Sequence, residues 1–178
     1  MVALRDSIKK GNRLILLVAP PGAGKGTLIC HLAVNAVAKN KRVLMSVHKR
    51  DLIHGPNTIS ERFIKQFGFR DFGFYLSGLE QREKPVMLGT VQTMIRRKTS
   101  RFDIVIVDET HRIQTGSYQQ LMANYPDVLL IGFTATPFRY DKKGFREQFD
   151  DLIQLTTYNE QVGLGALVPT KVIAPKIA

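Results

Sequence analysis

The sequence predicts an α/β fold: a mostly parallel central sheet with helices on both faces, in a single domain over residues 1–178. Three observations predict it. Short, continuously apolar runs alternate with stretches whose apolar residues recur at helical spacing, the pattern of βαβ units. Those runs lack the polar alternation of a sheet with one wet face, so their strands should be covered on both sides. Finally, 178 residues with 44% hydrophobic content suit one domain, because domains run to roughly 100–200 residues and a chain of this size buries about two-thirds of its unfolded surface.

Taken in order, Leu14–Val18 is an apolar run closed by Pro20-Pro21-Gly22 and reads as a buried strand. Thr27–Ala38 sets Leu28, Ile29, Leu32, Ala33, Ala36 and Val37 on one helical stripe. Arg42–Val47 is a second strand. Ile59–Phe67 repeats Ile59, Phe63, Ile64 and Phe67 at helical spacing behind Thr58, a side chain suited to cap the helix. Pro85–Gly89 reads as a short strand leading into a helix through Met94, and Phe102–Val107 as a strand ending in Asp108-Glu109. Tyr118–Ala123 is expected to be helical and Val128–Phe133 to be a strand ending at Thr134. Phe72, Phe74 and Tyr75 form an aromatic cluster of the kind that fills a core more often than it stacks on a ligand. No repeat, low-complexity tract or long linker interrupts the pattern.

The charge is uneven. Lys and Arg number 26 against 15 Asp and Glu, a formal net charge of +11. Ten basic residues and one acid, Asp6, fall between Met1 and Arg50, and Arg96, Arg97, Lys98 and Arg101 form a second basic group. Such an excess suits a polyanion partner, through counterion release from phosphates, or simply a solvated basic surface. The single cysteine, Cys30, excludes an internal disulfide framework and most cysteine-rich zinc sites. Cys30, His31 and His54 show no metal-ligand spacing and read as structural. No apolar run approaches the roughly 20 residues a membrane-spanning helix needs, and Met1–Gly11 lacks the apolar core of a secretory signal. The expectation is a soluble, cytoplasmic, basic domain with no membrane partner.

In parallel sheets chemistry collects at the carboxyl ends of strands, and two sets of residues stand there. Ala19-Pro20-Pro21-Gly22-Ala23-Gly24-Lys25-Gly26-Thr27 follows a strand and opens a helix, the context a phosphate-binding loop requires. Gly22 and Gly24 let the backbone curl round an anion, the helix start adds its positive end, and Lys25 supplies a mobile charge. A Walker A loop carries Ser or Thr directly after the lysine to ligate Mg²⁺. Here Gly26 holds that place and Thr27 follows, turned about 100° further round the helix. The Lys-Gly-Thr sequence is similar to that of adenylate kinase and other nucleoside-monophosphate kinases. The second set, Asp108 and Glu109, ends a buried strand. Two adjacent carboxylates repel each other without a cation, so a metal ligand at Asp108 and a water-activating base at Glu109 explain the pair; an exposed acidic turn is the plainer alternative.

Asp108-Glu109-Thr110-His111 resembles the DExH box of superfamily-2 helicases, and Thr134-Ala135-Thr136-Pro137-Phe138-Arg139 resembles their motif III in its TATPxR form. Val47-His48-Lys49-Arg50-Asp51-Leu52 is similar to motif Ia, and Gly89-Thr90-Val91-Gln92-Thr93-Met94 to the motif Ib element. The order suits the first RecA-like lobe of superfamily-2 DNA helicases and translocases, phage helicases included, over nearly the whole chain. Residues 163–178, beginning Gly163-Leu164-Gly165-Ala166-Leu167-Val168-Pro169, resemble the segment that leads out of this lobe.

The resemblance implies a RecA-like P-loop NTPase fold, ATP and Mg²⁺ as cofactors, and nucleic acid, leaning to DNA, as partner. It implies phosphate binding by Pro21, Gly22, Ala23, Gly24, Lys25, Gly26 and Thr27, metal ligation by Thr27 and Asp108, and catalysis by Lys25, Asp108, Glu109 and His111. Thr134 and Thr136 would couple the nucleotide site to movement, and His48, Lys49, Arg50, Gln92 and Thr93 would lie along the nucleic-acid track. No arginine-finger pattern of a second lobe occurs in these residues, so the reading is of one lobe, completed in cis or in trans. Weak or no ATP hydrolysis is expected from it alone, because such fingers contribute about 10³–10⁵ in rate. Two alternatives remain: a stand-alone or split non-catalytic binding lobe, and a nucleoside-monophosphate kinase, which would have no use for the Asp-Glu-Thr-His and Thr-Ala-Thr-Pro segments.

Overall fold

The computed structural model describes residues 1–46, 58–75, 83–96, 102–112, 115–136 and 148–169. Its strands are β1 (Leu14–Val18), β2 (Val43–Ser46), β3 (Phe72–Tyr75), β4 (Val86–Gly89), β5 (Ile104–Val107), β6 (Leu129–Thr134) and β7 (Asp151–Gln154). The helices are α1 (Val2–Lys9), α2 (Lys25–Val37), α3 (Ile59–Phe67), α4 (Val91–Arg96), α5 (Thr115–Asn124) and α6 (Tyr158–Gly163), with a 3₁₀ turn at Thr110–Arg112. The strands form one sheet in the order β3-β4-β2-β5-β6-β1-β7, and every pair is parallel.

That order explains the two helical layers. The path from β1 to β2 to β3 crosses the sheet in one direction, and the path from β4 through β5 to β6 returns in the other. Right-handed connections then place their helices on opposite faces. Side chains along β1 alternate to match: Ile15 and Leu17 join the core under α2 and α3 with Ile29, Ala33 and Phe63, while Leu16 and Val18 join the core under α4 and α5 with Met94 and Leu121. Central strands are buried on both faces, as their unbroken apolar runs predict.

Several expected elements form with small changes of boundary. α2 starts at Lys25, two residues before the expected start, and α3 spans the expected residues with Thr58 as cap, its hydroxyl accepting from the Glu61 N–H at 3.3 Å. The aromatic cluster is core: Phe72 stacks on Phe63 with ring centres 5.5 Å apart, and Tyr75 is buried. β3, β7, α1 and α6 are additions to the sequence reading. β7 pairs with β1 at the sheet edge, and the Asp150 carboxylate fastens the start of β1 by accepting from the N–H groups of Arg13 (2.7 Å) and Leu14 (2.9 Å). No helix among the described residues is long and apolar enough to cross a membrane.

Candidate functional site

The register sets Val18 beside Thr134 and Val107 beside Gly132, so the carboxyl ends of β1, β6 and β5 stand side by side. At the end of β1 the Ala19 N–H donates to the Thr134 carbonyl at 3.1 Å, which ties the glycine-rich loop to β6. Gly22 (φ +81°) and Gly24 (φ +78°) take left-handed backbone conformations that side chains disfavour. α2 begins directly after Gly24, so the free N–H groups of its first turn face the loop. The Lys25 ammonium, half-buried, donates to the carbonyls of Ala19 (3.0 Å) and Pro20 (3.1 Å). These carbonyls hold the cation inside the loop; a phosphate oxygen can replace them. Pro21, Gly22 and Gly24 are exposed, and Ala23 and Gly26 partly so.

Thr27 is engaged with α3. Its hydroxyl donates to the Gln66 Oε1 at 3.2 Å and accepts from the Arg62 Nη1 at 3.4 Å, both on α3. This is the outcome of the one-residue displacement after the lysine: the hydroxyl joins α2 to α3.

At the end of β5, Glu109 has φ +49°, a left-handed conformation unusual for a side chain of its length. Its N–H donates to the Asp108 Oδ1 at 2.9 Å. Thr110 turns inward, donating to the Val107 carbonyl at 3.2 Å and lying over Gly132, where an added Cβ would come within 2.7 Å of its oxygen. His111 follows, its Nδ1 3.0 Å from the Thr134 hydroxyl and 3.3 Å from the Glu109 Oε2. Thr134 is fully buried at the end of β6; its hydroxyl donates to the Thr136 carbonyl (2.9 Å) and accepts from the Thr136 N–H (3.1 Å). The Thr134 hydroxyl thus links Thr136 to the His111 ring, whose Nδ1 donates or accepts according to its tautomer. His111, Thr134 and Thr136 form one hydrogen-bonded chain at the ends of β5 and β6, and the Glu109 carboxylate lies within ion-pair distance of its histidine.

The residues fit a magnesium nucleotide. No group of three His, Cys, Asp or Glu side chains among the described residues could hold a metal by itself. Mg²⁺ usually takes one or two carboxylates and completes its shell with phosphate and water, and Asp108 and Glu109 are half-exposed oxygen donors of that kind.

Of the expected nucleic-acid contacts, Gln92 is exposed on α4. Thr93 lies beside the cap of that helix, with its N–H donating to the Thr90 hydroxyl at 3.3 Å and the two hydroxyls 3.0 Å apart. His48, Lys49, Arg50, Pro137, Phe138 and Arg139 lie outside the described residues, as do Arg97, Lys98, Arg101 and His54. Cys30 is structural as expected: it is buried, burial pushes its thiol up to about 12, and its Sγ lies 3.8 Å from the Ile59 carbonyl. His31 packs its ring 6.2 Å from that of Phe67.

Two neighbours of the loop carry no sequence signal. Arg62 lies 35 positions from Thr27 and reaches it only because α3 packs on α2. Leu167 lies over Gly22, where an added Cβ would stand 2.8 Å from its Cδ2. The segment after α6 is folded back to do this, with the Leu167 N–H donating to the Gln161 carbonyl (3.2 Å) and the Tyr158 hydroxyl to the Val168 carbonyl (2.6 Å).

The family described as "Type III restriction enzyme, res subunit" matches residues 1–139. The chain is 29% identical over 157 residues, 86% of its length, to a 51.5 kDa protein of a Lactococcus phage (isolate 7-9), covering 31% of it. It is 25% identical over a 191-residue alignment, 96% of its length, to the putative mitochondrial ATP-dependent helicase irc3 of Schizosaccharomyces pombe, covering 30% of that protein. The chain thus spans about a third of the length of these relatives. Among solved structures, the UvsW helicase of bacteriophage T4 superposes with a TM-score of 0.69 at 20% identity, over 84% of this chain and 58% of that one.

Proposed function

Because the chain belongs to the type III restriction enzyme res-subunit family, and with it to the superfamily-2 helicases of RecA-like fold, we propose that it is the ATP-binding first lobe of a DNA helicase or translocase. The observation that carries this reading is the juxtaposition at the ends of three neighbouring strands: Lys25 in its glycine loop after β1, Asp108-Glu109 after β5, and the His111–Thr134–Thr136 chain joining β5 to β6.

In this reading the loop N–H groups, the start of α2 and Lys25 bind the β- and γ-phosphates of ATP. Asp108 would hold Mg²⁺, which when bound neutralises charge on those phosphates. Thr27, the other expected metal ligand, would have to give up its hydroxyl contacts with Gln66 and Arg62 to serve there. Glu109 orients the attacking water and takes its proton. His111 touches both Glu109 and Thr134, so a change at the phosphate end is felt at the end of β6. Gln92 and Thr93, with His48, Lys49 and Arg50, would grip the phosphates of one strand without reading bases. A second RecA-like lobe completes the motor, in the cytoplasm of the cell or of a phage's host.

The test is a titration of the whole chain with a fluorescent ATP analogue, followed by hydrolysis assays with and without single-stranded DNA and with the separately produced second lobe of a longer relative. Saturable binding that Lys25→Ala abolishes is expected, with DNA-stimulated hydrolysis only in the two-lobe mixture. Phosphoryl transfer to AMP would overturn the reading in favour of a kinase.

A further inference from the structure

We propose that Arg62 is a phosphate ligand of the nucleotide site, standing in the space that the side chain after the loop lysine fills in a Walker A motif. This rests on the nucleotide-binding reading above and adds a residue from a different helix to it.

The first observation is steric. Gly26 has no side chain, and Arg62 reaches across from α3 so that its Nε, Cζ and Cδ lie 3.3, 3.4 and 3.6 Å from where a Cβ at Gly26 would stand. A larger residue would push the guanidinium aside. The second is anchoring. The Arg62 Nη1 donates to the Thr27 hydroxyl at 3.4 Å, and Thr27 in turn donates to Gln66, so the guanidinium is held against the first turn of α2, next to Lys25. The third is electrostatic. A cation at a helix N-terminus opposes the helix dipole, and Lys25 adds a like charge. No carboxylate among the described residues forms an ion pair with Arg62; the carboxylate beside it on α3, Glu61, pairs with Lys65 at 2.6 Å. Two cations, Lys25 inside the loop and Arg62 against the first turn of α2, flank the same helix start with no anion among their described partners. A di- or triphosphate supplies that anion, and the planar guanidinium fork suits two phosphate oxygens at once. Gly26 and Arg62 thus form one unit: the lost hydroxyl makes room for a permanent charge.

Part of the neutralisation assigned to Mg²⁺ then comes from the protein, so nucleotide affinity should depend less on the metal than a hydroxyl-bearing loop would allow. The test uses the whole chain and fluorescent analogues of ATP and ADP, titrated in Mg²⁺ and in EDTA, with the melting temperature of each nucleotide-free variant as control. Arg62→Gln keeps a donor for Thr27 and removes the charge. It should weaken ATP binding at least about tenfold in EDTA, the size expected for a charged hydrogen bond, with an unchanged melting temperature; Arg62→Lys should restore part of the loss. Gly26→Ser should displace the guanidinium, weakening binding in EDTA while increasing its dependence on Mg²⁺. If Arg62→Gln binds like the parent while Lys25→Ala does not, the site stands and Arg62 only joins two helices. If the parent chain shows no saturable binding, the nucleotide reading falls and this inference with it.

Discussion

At Glu109 the backbone turns through φ +49°, a conformation that costs a non-glycine residue about 1–2 kcal/mol and that asparagine tolerates better. Glu109→Asn should therefore raise the melting temperature, by about 2–4 °C for a relief of 1 kcal/mol in a chain of this size, while removing hydrolysis by the completed motor; a lower melting temperature would show that the turn stores no strain. Gly132 answers to the opposite constraint. An added Cβ would meet the Thr110 Oγ1 at 2.7 Å, the Leu16 Cδ1 at 3.1 Å and the Phe149 Cε1 at 3.2 Å. Gly132→Ala should lower stability by about 1–3 kcal/mol through overpacking, visible as a lower urea midpoint at constant slope. Cys30 offers a readout of opening. Burial holds its thiol at about 12, so a thiol reagent at neutral pH should label it only as fast as the core opens.

Among the elements, α3 was legible to the residue because two local signals agree, Thr58 as cap and an apolar stripe through Phe63; the structure adds Gly68, which closes the helix at φ +61°. Thr58→Ala should cost about 1 kcal/mol, measured by chemical unfolding. β7 was not legible. Asp151-Leu152-Ile153-Gln154 is short and half-exposed, an edge strand defined by its neighbour β1 rather than by its own composition. β3 escaped for a related reason, since Gly73 interrupts its aromatic run and weakens the strand signal. Of the candidate site, the loop and the acidic pair were legible because their chemistry needs fixed spacing within one strand-turn unit. Arg62 and Leu167 were not, because packing between distant segments sets them. α6 carries a pH dependence of its own. The Glu160 carboxylate accepts from the Thr157 N–H (2.7 Å) and the Thr156 hydroxyl (3.0 Å), and these bonds hold it below its ordinary 4.5. A carboxyl lowered in the fold adds stability above its unfolded value and loses it as pH falls through the lowered one. A carbon-13 NMR titration of Glu160 should show a midpoint below 4.5 that Thr156→Val moves part of the way back up, with the helix loosening on the acid side.

At the scale of the molecule, the strand order makes folding depend on the far end of the chain. β1 lies between β6 and β7, so it has no sheet neighbour until the chain has reached residue 129. A chain ended at residue 127 should lack cooperative unfolding, whereas one ended at residue 157 keeps all seven strands and should unfold as a unit; tyrosine fluorescence in urea distinguishes them. The parallel sheet itself was legible from alternating apolar runs, but its order was not, because sequence distance does not specify which strands adjoin. The Leu167–Gly22 contact carries a further consequence. The segment after α6 passes over the glycine loop at Leu167 and is fastened to α6 by the Tyr158–Val168 hydrogen bond. A force applied at residue 169 would reach that clasp before the sheet, so it would lift a side chain off the mouth of the loop while the core stayed shut.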